Sequence, residues 1–72
     1  MKEYFIVFYY KLNGSGVRDF AYSWGESPRE ASERLYNKNQ YVFETYVYEN
    51  ADAFHRGQKS LYQNQNFERM RT

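Results

Sequence analysis

The residues in this chain that could do chemistry are few, and folding accounts for each of them. Gly14-Ser15-Gly16 has the look of a phosphate-cradling loop. Such a loop needs a longer glycine frame, a lysine and a helix opening directly behind it, and here Val17-Arg18-Asp19-Phe20 follows. Asp52 and His55 have the spacing that sets two metal ligands on one helical face. Two ligands do not hold a metal firmly, and the chain has only one histidine. Glu26, Glu30 and Glu33 gather acid around a helix start, where negative charge is favoured by the helix dipole. No cysteine is present, which removes thiol nucleophiles, disulfides and cysteine-based zinc sites. One histidine among scattered serines offers no triad pattern. The expectation is a protein that is not an enzyme, with no catalytic residue, no cofactor and no metal.

The abundant chemistry is aromatic. Phe, Trp and Tyr make up 22% of the 72 residues and tyrosine alone supplies nine, while the formal net charge is only +1. A chain poor in aliphatics but rich in rings and nearly neutral is built to fold, because disorder goes with high net charge. Tyrosine buries its ring while seeking a partner for its hydroxyl, so nine tyrosines point to half-buried surfaces. Rings of this kind serve two purposes at a surface. They stack on the bases of single-stranded nucleic acid, or, with arginine, they anchor protein interfaces. Near neutrality gives no electrostatic footprint for a membrane or for nucleic acid in general. The longest apolar run, Tyr4–Tyr10, is far too short to span a bilayer, and nothing reads as a secretory signal, so the expected place of action is the cytoplasm.

The elements that must position these rings follow from local chemistry. Tyr4–Leu12 is rich in aromatic and β-branched residues and free of Gly and Pro, a strand pattern. Asn13-Gly14-Ser15-Gly16 is a hairpin loop, and Val17–Trp24 is the returning strand, stopped by Gly25. Ser27-Pro28-Arg29-Glu30 is a capping box with proline at the first helical position. The helix runs from Pro28 to about Lys38, with Ala31, Leu35 and Tyr36 as a thin apolar stripe. Tyr41–Glu49 is a third strand. The predicted fold class is α+β: a ββαβ domain over residues 1–50 with a three-stranded antiparallel sheet in the order 2-1-3 and one helix on one face. Residues 51–72 form a C-terminal segment, helical or partly disordered, in which Phe54 and Leu61 lie two helical turns apart and could run along the sheet as a second helix.

If Leu12 pairs with Val17 across the loop, alternation fixes two sets of side chains. Tyr4, Ile6, Phe8 and Tyr10 share one face with Asp19, Ala21 and Ser23, and the small pair Ala21 and Ser23 assigns this face to the helix. Phe43 and Val47 are expected to join it. Phe5, Val7, Tyr9, Phe20, Tyr22, Trp24, Tyr46 and Tyr48 then share the opposite face, with Arg18 and Glu44 at its margins. So large an apolar face asks to be covered, by the C-terminal segment, by a second copy in a homodimer formed face to face or by strand addition, or by a foreign partner. The predicted partner-binding residues are Tyr9, Arg18, Phe20, Tyr22, Trp24, Tyr46 and Tyr48.

An aromatic first strand, a short hairpin, Ser27-Pro28-Arg29-Glu30-Ala31 opening a single helix and a third strand together resemble, over roughly residues 3–49, small proteins of phages and other mobile elements. Among these the pattern is similar to anti-CRISPR and other host-takeover proteins. The resemblance implies a compact, non-enzymatic inhibitor or accessory protein that occupies a surface on a larger host protein or complex in the host cytoplasm. It implies no particular functional residue. The alternative is a single-stranded nucleic-acid binding protein that uses the same aromatic face. Against it, the basic residues near that face are sparse, and the first strand lacks the basic-Gly-aromatic opening of an RNA-binding sheet.

Overall fold

Asn13 and Gly14 both take positive φ, 52° and 82°, the conformation of the two central residues in a type I′ hairpin turn. In the computed structural model, which describes residues 1–71, this tight turn joins β1 (Lys2–Leu12) to β2 (Ser15–Gly25). The loop is therefore two residues long, and Leu12 faces Ser15 in place of Val17. The register differs from the expected one by two positions. Side chains alternate with a period of two, so the expected sharing of faces between β1 and β2 survives the shift.

The remaining elements are α1 (Pro28–Lys38), β3 (Val42–Tyr48), α2 (Ala51–His55), β4 (Tyr62–Gln65) and α3 (Phe67–Arg71). The fold is α+β, with one antiparallel sheet of four strands in the order β2-β1-β3-β4. Two expectations are corrected. The sheet has a fourth strand where three were predicted, and the C-terminal segment is not one helix along the sheet. Gly57, at φ +75°, ends α2 after a single turn. Its N–H donates to the Phe54 carbonyl and the Gln58 N–H to the Ala53 carbonyl, the paired bonds of a Schellman stop. Leu61 thus leaves the helical path of Phe54 and instead donates its N–H to the Val47 carbonyl at 2.7 Å, where β4 begins.

The helix start obeys the local signal with one change. Ser27 Oγ accepts from the Glu30 N–H at 3.2 Å, while the Glu30 carboxylate accepts from the N–H of Glu26, one residue before the cap. At the other end Arg69, from α3, donates to the carbonyls of Val42, Asn39 and Tyr36 at 2.8, 3.3 and 3.5 Å. This single guanidinium ties α3 to the end of α1 and to the start of β3.

The core lies between α1 and one face of the sheet. Ile6, Ala31, Val42 and Val47 are fully buried there, with Tyr4, Phe8 and Tyr36 around them. Ser32 and Thr45 share a hydrogen bond of 2.7 Å inside it, so this buried polar pair is satisfied. Small residues on β2 let the helix close in. Ser23 Oγ donates to the Ala31 carbonyl at 2.9 Å. A Cβ on Gly25 would sit 2.7 Å from the Ala31 nitrogen, a separation that requires glycine.

Candidate functional site

The face away from α1 is built by consecutive odd-numbered positions of β1. Phe5 is opposite Tyr22 and Tyr48, Val7 is opposite Phe20 and Tyr46, and Tyr9 is opposite Arg18 and Glu44. Trp24 is opposite Glu3 at the far end of β2. All seven predicted partner-binding residues therefore lie on one face, but they fall into three groups with different surroundings.

The first group is covered. Phe5 and Val7 are buried; α2 lays Phe54 across the sheet over Phe5, and Val7 lies between Phe20 and Tyr46. The Phe54 ring stands 5.8 Å from that of Phe5, 5.7 Å from Phe20 and 5.2 Å from Tyr48. Tyr48 is half-buried under this lid, so its ring serves the cover more than the open surface. Asn50 holds the lid at its start by accepting the Ala53 N–H at 2.8 Å, and Gly57 stops it at the end.

The second group surrounds Tyr9. Its ring meets Tyr46 edge-on at 6.3 Å and Phe43 at 6.4 Å. Phe43 corrects the expectation that it joins the helix side. The ladder between β1 and β3 shifts register between Tyr9 and Tyr10, so that Tyr9 faces Glu44 and Tyr10 faces Val42. The extra residue of this bulge is Phe43, and Val42 takes the core position instead. The Tyr46 hydroxyl donates to the Glu44 carboxylate, which also accepts from Gln65 Nε2 at 3.3 Å. That bond to a carboxylate, aided by partial burial, raises the Tyr46 pKa above the usual tyrosine value. The hydroxyl stays protonated, and this end of the face is a closed polar network.

The third group is open. Phe20, Tyr22 and Trp24 are 44%, 58% and 50% exposed, spaced two apart on the outermost strand. The Arg18 guanidinium lies 5.5 Å from the Phe20 ring centre, and Arg18 is itself exposed. Phe5 supports the row from beneath, stacked on Phe20 at 5.8 Å and edge-on to Tyr22 at 5.3 Å.

The positions weighed for other chemistry are occupied by structural roles. Asp52 pairs with Arg56 at 3.0 Å, and no cluster of three or more metal-ligating side chains occurs among the described residues. Glu33 pairs with Arg29 at 2.8 Å and Glu30 with Arg34 at 3.6 Å. A cavity of about 290 Å³ opens beside the hairpin turn, lined by Lys11, Asn13, Gly14, Gln40, Tyr41 and Arg69, where Arg69 is committed to the carbonyls around the end of α1. No helix among the described residues is long and apolar enough to cross a membrane. Sequence reasoning named the C-terminal segment with Phe54 as one cover for this face but put Phe54 on a single helix with Leu61, and it missed Phe43 as a face residue. Asn50 before Ala51 and Gly57 after Arg56 were the legible signals for the short helix that carries the lid. Comparison with protein-family models, with curated proteins and with solved structures gave no match.

Proposed function

We propose that this protein is a small, non-enzymatic protein-interaction module, an inhibitor or accessory protein of phage or mobile-element type. In this reading it acts in the host cytoplasm by occupying a surface on a larger host protein or complex. The observation that carries the reading is the open row Phe20, Tyr22 and Trp24, half exposed on one strand with Arg18 beside it. Tyr, Trp and Arg are the residues that dominate interface energetics. Here the rings stand on a strand, and Phe5 beneath Phe20 and Tyr22 limits the side-chain freedom those two have to lose on docking. Tyr9 and Tyr46 extend the contact area as half-buried neighbours, and Tyr48 contributes through the lid.

The test is affinity capture from a host-type lysate, with and without nuclease, using the wild-type chain and a Tyr22→Ala/Trp24→Ala variant. The expected result is a protein band that survives nuclease and is lost with the variant. Captured nucleic acid, with proteins lost on digestion, would replace this reading by base stacking on the same rings.

A further inference from the structure

The two edges of the sheet are finished in different ways. β4 is four residues of Tyr, Gln and Asn, too short to template another strand. β2 is eleven residues long, has neither proline nor lysine, and pairs with β1 without a bulge. Short length, proline, lysine and bulges are devices by which proteins blunt an edge; β2 has none of these, and the charges it carries are Arg18 and Asp19. Its main neighbours are β1 along its inner side and α1 against one face.

The direction of the backbone groups that β1 does not use can be read from one bond. The Phe20 N–H donates to Asp19 Oδ1 at 2.8 Å, not to β1, so it points away from the sheet. In an antiparallel ladder the inward and outward groups alternate, which turns the N–H and C=O of Arg18, Phe20, Tyr22 and Trp24 outward together. Their side chains are the ones on the aromatic face.

We propose that β2 pairs antiparallel with β2 of a second copy of the chain, across a twofold axis at Ala21, so that two sheets become one and their open aromatic rows lie side by side. This register opposes Phe20 to Tyr22 and Arg18 to Trp24 on the aromatic face, and Asp19 to Ser23 on the other, each pair occurring twice. The rings meet rings and a guanidinium meets the indole, whose face binds cations best, while Asp19 opposes an uncharged residue. Axes at Arg18 or Asp19 would set like charges against each other, which is destabilising. An axis at Phe20 leaves Trp24 against Gly16, and one at Tyr22 leaves Asp19 against Gly25. Both halves of every favourable pair are present on the one strand, which is what an isologous interface needs and what makes a second copy the occupant. The dimer uses the edge and leaves the aromatic face open, so it does not depend on the proposed function.

Sedimentation equilibrium of the intact chain over a wide concentration range tests the pairing. The expected mass is twice the 8.8 kDa of one chain. Phe20→Pro removes an outward N–H while sparing the bonds to β1, a substitution that strand edges accept, and is expected to halve that mass. Ala21→Cys places the only thiol of the chain on the axis. A non-hydrogen-bonded antiparallel pair brings Cα atoms to about 4.5 Å, within disulfide range, so mild oxidation is expected to give a covalent dimer. A wild-type chain that stays monomeric throughout overturns the proposal, as does a dimer in which Ala21→Cys does not cross-link. A monomer that still captures a partner counts against this inference alone. A dimer that captures none counts against the proposed function alone.

Discussion

Phe5 and Ile6 are adjacent in β1 and both are buried, yet they are covered by different amounts of protein. Ile6 lies under α1, a helix of eleven residues closed by Ser27 at one end and by Asn39 and Arg69 at the other. Phe5 lies under one ring, Phe54, on a helix of five residues. The helix side is a core in the ordinary sense, with Ile6, Val42 and Val47 fully buried. The aromatic side is closed by the Phe54 ring over Phe5 and by the cluster of Tyr9, Phe43 and Tyr46, and beyond them Tyr22 and Trp24 are open. A small chain buries a limited fraction of its surface. The difference shows where this one spends its single long helix and where it leaves rings available.

The comparison can be broken in four ways, beginning with the largest effect. Ile6→Ala opens a cavity in the closed side and is expected to lower the unfolding free energy by about 2–5 kcal/mol, read from urea denaturation. A smaller loss than that of Phe54→Ala would reverse the ranking of the two faces. Phe54→Ala is expected to cost about 1–2 kcal/mol, since the ring is only half-buried. It also bares Phe5, which an apolar fluorescent dye would report as a rise in binding.

Tyr36→Phe probes where α1 meets β4. The Tyr36 hydroxyl donates to the Asn64 carbonyl at 3.3 Å, and its loss is expected to cost about 1 kcal/mol at neutral pH. Burial, opposed in part by the nearby Arg69 charge, pushes the Tyr36 pKa up to about 12. An unfolded tyrosine ionises near pH 10, so the unfolded chain loses this proton first. The contribution of Tyr36 is therefore complete below about pH 10 and is lost as the pH rises through 12. Denaturation midpoints across that window should fall more steeply for wild type than for Tyr36→Phe.

Trp24→Ala should change least. Measured at a concentration where the chain is monomeric, its unfolding free energy is expected to stay within about 0.5 kcal/mol of wild type. A substantial loss would mean that Trp24 belongs to a core and is not part of an open row.

The order of strands and helix up to Tyr48 was legible because each signal is local. Asn13-Gly14 is a turn, Ser27-Pro28 starts a helix, and β1 is dense with residues that favour strands. The division of the β1 and β2 rings between the two faces was legible as well, and it survived an error of two positions in register because a strand repeats every two residues. β4 was not legible. Tyr62-Gln63-Asn64-Gln65 has no apolar alternation, and it becomes a strand because its backbone meets the open edge of β3. The bulge at Phe43 was hidden for a similar reason, since Val42 and Phe43 are both apolar and only packing against α1 chooses which one turns inward.

By itself, then, the sequence determined the succession of two strands, a helix and a third strand between Tyr4 and Glu49, the start of α1, and a surplus of rings on one side of the sheet. These rest on backbone preferences and side-chain alternation within a few residues of one another. The tertiary structure alone decided how much of that side is closed. Whether Phe54 or Leu61 covers it depends on Gly57 stopping a helix in space, and whether Tyr48 or Trp24 stays open depends on how far a single ring reaches.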